Sequence, residues 1–216
     1  MKQTALQVIP VLSMPFAENS YIVYLEGRDD AVVIDPGLEP QLILAKLKKH
    51  QLHLVAILNT HGHADHIAGN ASMKKHFPQA TLYIGEGDAP MLTDPVLNLS
   101  RPFGMDIISP PADQLLNEGD SISLAGIDMN IREIPGHSPG HIVFVLTDRQ
   151  PHIVFGGDTL FQGSIGRTDF PNGNHQQLIT GIKKKLFSLP EDTIVYPGHG
   201  DETTTGEEMV SNPFLI

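Results

Sequence analysis

The sequence of 216 residues predicts one mixed α/β domain, with a four-layer α/β/β/α sandwich as the arrangement that buries its patterns. Three observations predict it. Strand-like segments recur in both halves of the chain, helical patterns are interspersed among them, and the length suits a single core spanning residues 1–216. Periodicity by itself establishes mixed α and β in one domain. Two sheets packed together, with helices outside, would bury its apolar stripes.

Residues 4–11 and 20–26 read as strands joined through Ser13-Met14-Pro15, and residues 31–34 as a third, buried strand. The third ends at Asp35-Pro36-Gly37, a turn that leaves a carboxylate at the strand's C-terminal end. Residues 39–50 fit a helix with Ile43, Leu44 and Leu47 on one face and Lys46, Lys48 and Lys49 elsewhere. A strand at 54–59 leads into a histidine-rich stretch, followed by a helix from about 65 to 77 that Pro78 stops and a short strand at 81–84. Residues 85–112 hold five prolines and little periodicity; they read as a packed structural loop, with a lid or substrate wall as the alternative. Strands return from Leu115 onward, with Ile122 and Leu124, then Ile127, Met129 and Ile131, alternating as half-buried strands do. Strands at 141–147 and 152–156 flank a turn, a helix at 175–187 aligns Leu178, Ile179, Ile182 and Leu186, and a strand at 193–196 precedes a short C-terminal turn.

The formal charge of −11, from 25 acidic and 14 basic residues, argues against nucleic acid or anionic membrane as a partner. The one basic run, Lys183-Lys184-Lys185, reads as the solvated face of its helix. No apolar run approaches the ~18 residues of a membrane span, and residues 1–10 lack the pattern of a secretory leader. With no cysteine there is no disulfide framework and no thiolate nucleophile or ligand. A cytoplasmic protein acting on a small molecule, as a monomer or small homo-oligomer, is the expectation.

Residues 60–69 read T-H-G-H-A-D-H-I-A-G, which places four ligand-type side chains, His61, His63, Asp65 and His66, within six residues. Imidazole and carboxylate donors suit Zn, Fe or Mn. In an extended turn residues two apart point the same way, so His61 and His63 can converge on one ion, while Asp65 and His66 can face a second. Three later spots repeat one design, a strand followed by a glycine turn bearing a ligand-type side chain: His137 in I-P-G-H-S-P-G-H, Asp158 in V-F-G-G-D-T and His199 in V-Y-P-G-H-G. Singly, each has a structural explanation as a loop or capping residue. Their joint occurrence in this order points to a metal centre.

These residues, with Asp35-Pro36-Gly37 and the terminal Asn212-Pro213-Phe214, resemble the metallo-β-lactamase superfamily and, within it, the hydroxyacylglutathione hydrolase (glyoxalase II) group of short bacterial type. The resemblance implies an αββα sandwich with two divalent ions at one edge of the sheets, Zn first, with Fe or Mn as alternatives. His61, His63 and His137 would bind one ion, Asp65, His66 and His199 the other, and Asp158 both. His141 could hydrogen-bond a ligand from behind or be structural, and Asp35 could orient a ligand histidine or simply form its turn. His50, His53, His76, His152 and His175 are read as non-ligands.

Two divalent cations about 3.5–4 Å apart can share a water and lower its pKa toward ~7. The resulting bridging hydroxide serves as nucleophile without Ser or Cys, with Asp65 and Asp158 as the catalytic carboxylates. A thiolate, from a thiol of pKa near ~8.5, leaves without strong acid help. The expected reaction is hydrolysis of a thioester of the S-lactoylglutathione type. Arg167 matches a basic glutathione contact of the family and could pair with a substrate carboxylate or with Asp169. Longer family members carry tyrosine where this chain has Asp169, and continue into a helical segment with further basic contacts. The alternatives are a mononuclear iron persulfide dioxygenase using His61, His137 and Asp158, a lactonase or phosphodiesterase, and a non-catalytic or nucleic-acid-processing member.

Overall fold

Strands that are apolar on both faces need a packed layer on each side, and both sheets of this protein are of that kind. The computed structural model describes residues 4–216; the first three residues, part of the N-terminal stretch considered above for a leader, lie outside the described residues. β1 (Leu6–Ser13), β2 (Glu18–Leu25), β3 (Asp30–Ile34), β4 (His53–Leu58), β5 (Thr81–Gly85) and β6 (Gln114–Leu116) form the first sheet in sequential order. The first three run antiparallel; β3 to β6 run parallel. Parallel neighbours need crossovers, supplied by α1 (Pro40–Lys49) between β3 and β4, and by α2 (Ala64–Ile67) and α3 (Asn70–His76) between β4 and β5.

The second sheet begins with β7 (Ser121–Leu124), β8 (Ile127–Glu133), β9 (Ile142–Leu146) and β10 (Ile153–Gly157). A small hairpin of β11 (Leu160–Phe161) and β12 (Ser164–Ile165) follows, then α4 (His175–Gly181), β13 (Ile194–Pro197), β14 (Thr203–Thr204) and α5 (Thr205–Ser211). The sheet order is β14-β13-β10-β9-β8-β7, and only β10 and β13 are parallel, with α4 in their connection.

The twofold alternation of strand side chains sorts the core into three slabs. Val32 and Ile34 of β3 meet Phe144 and Leu146 of β9 between the sheets. Their neighbours Ala31 and Val33 face Ile43 and Leu47 of α1 and Met73 of α3. On the far side Val143 and Val145 pack with Leu178, Ile182 and Leu186. The order is helices, sheet, sheet, helix, so the predicted αββα sandwich is the observed fold. Among the described residues no helix is long and apolar enough to cross a membrane.

Four local departures have physical causes. The helix expected over 65–77 is two pieces, because the Gly69 amide donates to the Pro36 carbonyl at 2.7 Å instead of continuing the ladder. The helix expected over 175–187 is α-helical to Gly181 and then widens to a π turn over Ile182–Leu186, where the Arg132 side chain donates to the Lys185 carbonyl. Lys183 and Lys184 are exposed as expected, whereas Lys185 is half-buried and pairs with Glu118 at 2.8 Å. The C-terminal turn is the helix α5, capped by the Thr204 side chain accepting from the Glu207 amide.

β3, β4, β10 and β13 all end at one edge of the sandwich, where open α/β sheets usually place their sites. Backbone bridges close that edge across the sheets: the Asn19 amide donates to the Gly198 carbonyl at 2.7 Å, and Glu18 pairs with His199. Gly69 is a point of close approach in the support beneath it. A Cβ there would lie 2.8 Å from the carbonyls of both Pro36 and Gly37. Gly69→Ala should therefore destabilise the protein by about 1–3 kcal/mol in urea unfolding; a loss below about 0.5 kcal/mol would show that the helix and turn do not constrain each other.

Candidate metal centre

The site is built from strand ends backward. Asp35, just past β3, adopts φ +48, a left-handed conformation that Asp tolerates better than most residues. In that pose Oδ1 accepts the Thr60 amide at 2.7 Å, while Oδ2 accepts the Thr60 hydroxyl at 2.6 Å and faces His66 Nδ1 at 3.1 Å. The Thr60 hydroxyl has one proton, and Asp35 takes it, so the contact of 3.1 Å between Thr60 Oγ1 and His61 Nδ1 must be donated by the ring. By the same reasoning His66 donates from Nδ1 to the carboxylate. One carboxylate thus fixes the tautomers of two histidines and leaves a bare Nε2 on each.

Two of the other histidines, His137 and His199, are backed by carbonyls, which only accept. His137 Nδ1 donates to the Arg167 carbonyl at 2.8 Å, and His199 Nδ1 lies 3.2 Å from that of Phe16. Both therefore present Nε2 inward, while His63 presents Nδ1, 2.9 Å from His137 Nε2.

Apart from that His63–His137 pair, the inward atoms stand apart by more than ordinary hydrogen-bond lengths. His66 Nε2 lies 3.5 Å from Asp158 Oδ1 and 3.8 Å from Asp65 Oδ2, and His137 Nε2 lies 3.4 Å from Asp158 Oδ2. His199 Nε2 is 3.4 Å from Asp65 Oδ2 and 3.6 Å from Asp158 Oδ2. Donors about 2.0–2.1 Å from a tetrahedral ion are about 3.4 Å from one another, so these are the edges of coordination polyhedra. His61 Nε2, His66 Nε2 and Asp158 Oδ1 are buried with no hydrogen-bond partner. Leaving a buried polar atom unpaired costs about 1–3 kcal/mol; three such atoms converging on one space fit a cation.

Two donor groups are spatially distinct, His61 with His63 and His137, and Asp65 with His66 and His199. Asp158 reaches toward both, Oδ2 to His137 and Oδ1 to His66. Asp35 also groups with His61 and His66, but its oxygens are taken up by Thr60 and His66, which makes it a backing group. All seven residues singled out from the sequence come together here. The five histidines read as non-ligands lie in none of these groups among the described residues.

Electrostatics agree with a site that calls for positive charge. Burial, then crowding by the other imidazoles, pushes the His61 pKa well below its usual range, and burial with His137 does the same to His63. His66 is the reverse: burial opposes its charge, but Asp65, Asp158 and Asp35 together raise its pKa well above the ordinary value. Burial likewise opposes ionisation of Asp65, and His66 and His199 outweigh it, holding the carboxyl well below the usual carboxylate range. In this ring of carboxylates a proton on His66 stands where a divalent ion would compete with it.

Two supports, Asp88 and Glu208, belong to no sequence motif, and two more, Asn212 and His141, lie in motifs whose supporting contacts only the fold reveals. Asp88 is fully buried in the segment 85–112, where its Oδ2 accepts the Gly62 amide at 3.0 Å and the Ser138 hydroxyl at 2.6 Å, and its Oδ1 the Gly140 amide at 2.6 Å. It ties the loop of His61 and His63 to the loop of His137. Glu208 and Asn212 hold the β11–β12 hairpin, through the Gly163 amide at 2.9 Å and the Ser164 carbonyl at 2.9 Å. His141 takes the backing role: its Nε2 accepts the Asp158 amide at 3.0 Å, and its ring stacks on His61.

A cavity of about 470 Å³ opens onto the cluster. The segment 85–112 is packed, as Asn98 shows by bonding the Met91 and Ile107 carbonyls, yet its residues 98–105 also form one wall. Both readings of the segment thus describe it in part. Arg167 lines the cavity and is held by Asp169 in a two-pronged pair at 2.7 and 2.8 Å, with its guanidinium 4.0 Å over Phe170.

The sandwich and the edge cluster define a metallo-hydrolase, with a site for divalent metal ions. The family model of the metallo-beta-lactamase superfamily matches residues 14–199, and the protein belongs to that superfamily. It is 37% identical over 212 residues to the hydroxyacylglutathione hydrolase GloC of Haemophilus influenzae, covering 97% of each chain. Among solved structures, the BLEG-1 B3 metallo-beta-lactamase superposes with a TM-score of 0.90 at 38% identity, covering 98% of this chain and 99% of that one. TTHA1623 in a di-iron-bound form gives 0.84 at 38% identity, covering 96% and 100%.

Asp35→Asn turns an acceptor of three donors into a group with its own N–H, so metal affinity should fall about 10- to 100-fold in chelator competition. Unchanged affinity would remove Asp35 from the support. Asp88→Asn should cost about 1–3 kcal/mol of stability in urea unfolding, because one buried N–H or hydroxyl loses its acceptor; a loss below about 0.5 kcal/mol would contradict the clamp.

Proposed function

We propose that the protein is a binuclear metal-dependent thioesterase that hydrolyses S-acyl-glutathione thioesters of the S-lactoylglutathione type. The observation that carries this reading is Asp158, whose two oxygens face two separate donor groups at coordination-edge distances. His61, His63 and His137 would hold one ion and Asp65, His66 and His199 the other, with Asp158 available to both. Zn is the first assignment; the di-iron form of a similar protein keeps iron open as the resident metal. When bound, such ions supply Lewis acidity that lowers the pKa of a water toward ~7 and polarises a carbonyl.

The chain's own residues do the rest. Asp65, whose Oδ2 lies 3.4 Å from His199 Nε2 and 3.8 Å from His66 Nε2 in the lining of the cavity, would accept a hydrogen bond from the attacking water and receive its proton. Asp35 and the Thr60 hydroxyl hold His61 and His66 in the tautomers that leave Nε2 free. The leaving thiolate, from a thiol of pKa near ~8.5, needs no acid at this site. Identity to GloC along nearly the whole chain supports a glutathione-derived substrate.

The test is metal analysis of the purified protein together with hydrolysis of S-lactoylglutathione. About two divalent ions per chain and thioester turnover are expected, with kcat/KM lowered at least about 10³-fold in His61→Ala and in Asp158→Ala. One iron per chain, with oxygen uptake on glutathione persulfide and no hydrolysis, would replace this reading with a dioxygenase.

A further inference from the structure

The cavity beside the cluster has two chemically different sides. On the His63 and His137 side lie Arg167 and Phe170, the Phe170 ring edge-on to His63 at 5.5 Å. On the His199 side the surface is aromatic: Phe161 lies edge-on to His199 at 6.2 Å, and Phe16 meets Phe103 edge-on at 5.5 Å. Leu99 and Met105, from the loop that carries Phe103, extend this surface. We propose that the aromatic side receives an apolar acyl group, so that the same site hydrolyses thioesters of medium-length or aromatic acids as well as the lactoyl ester, and more efficiently. This rests on the thioesterase reading and specifies its acyl class.

Two features beyond composition support the assignment. Phe103 is 58% exposed at the cavity mouth, and Leu99 reaches the lining from φ +65, a conformation that large side chains rarely adopt. An exposed ring and a strained backbone position at one cavity mark a surface shaped for a ligand. Of the polar side chains nearby, Asn98 is already engaged and Ser164, opposite Phe161 in the hairpin, offers a single hydroxyl. The Asn98 amide donates to the Met91 and Ile107 carbonyls, and its oxygen accepts the Ser100 amide. Among the described residues lining the cavity, the cationic side chain besides histidine is Arg167, whose Nε and Nη2 are both taken by Asp169. A hydroxyl on the acyl group would exchange its water for the single hydroxyl of Ser164 on the aromatic side, whereas each methylene buried there is worth about fourfold in binding.

The test separates the acyl preference from the reaction. Affinities of the metal-loaded full chain for S-hexylglutathione and S-methylglutathione, neither of which can be hydrolysed as a thioester, are measured by calorimetry. In parallel, kcat/KM is compared for S-hexanoylglutathione and S-lactoylglutathione. The hexyl ligand should bind at least about tenfold tighter, and the hexanoyl ester should react at least about tenfold more efficiently. Phe103→Ala, at an exposed position, should weaken hexyl binding about tenfold and methyl binding less than about threefold, and Phe103→Leu should restore most of the difference. Equal affinity for the two ligands, or equal loss of both in Phe103→Ala, overturns the inference. Selective hexyl binding without turnover of either ester supports the apolar chamber and overturns the thioesterase reading instead.

Discussion

One carboxylate behind the metal site constrains more of this structure than any ligand does. Asp35 holds two histidines in register, His66 directly and His61 through the Thr60 hydroxyl, and it also accepts the Thr60 amide at the end of β4. To do so it takes a left-handed backbone conformation, which turns the chain at Pro36 and Gly37 against Gly69. The same contact breaks the helix after Ile67 and so sets the direction of α2, which carries Asp65 and His66. Backbone strain, helix break and tautomer control are one arrangement.

The sandwich explains why such an arrangement can be held. Three apolar slabs fix the two sheets and their helices, and four strand ends project from one edge of that rigid block. Short glycine turns then bring side chains together without long loops that would have to be ordered. Gly198 illustrates the tolerance: a Cβ at that position would lie 2.2 Å from Asp158 Oδ1 and 2.7 Å from the His66 ring. Asp88 and His141 play the corresponding part on the other side, one joining two histidine loops, the other holding the Asp158 backbone.

Much of this was legible in the chain. The strands declared themselves by apolar runs and alternation, and the seven donor residues by chemistry and by their glycine turns. The helix break at Gly69 was not, because the amide's partner, the Pro36 carbonyl, is distant in sequence. The π turn of Ile182–Leu186 depends on an arginine from β8, equally invisible to local periodicity. Asp88 looked like one more acid in a proline-rich loop, since nothing in E-G-D-A-P announces three buried hydrogen bonds. Arg167 was read with two possible partners; the folded chain pairs it with Asp169 and stacks it on Phe170. Local chemistry was readable, and support from distant segments was not.

The central claim is that Asp158 stands between two ions, and anomalous diffraction from crystals of the purified protein at the edge of the resident metal tests it most directly. Two peaks about 3.5–4 Å apart on either side of Asp158 are predicted, one bonded by His61, His63 and His137, the other by Asp65, His66 and His199. A single peak, or one coordinated by Asp35, would contradict the account.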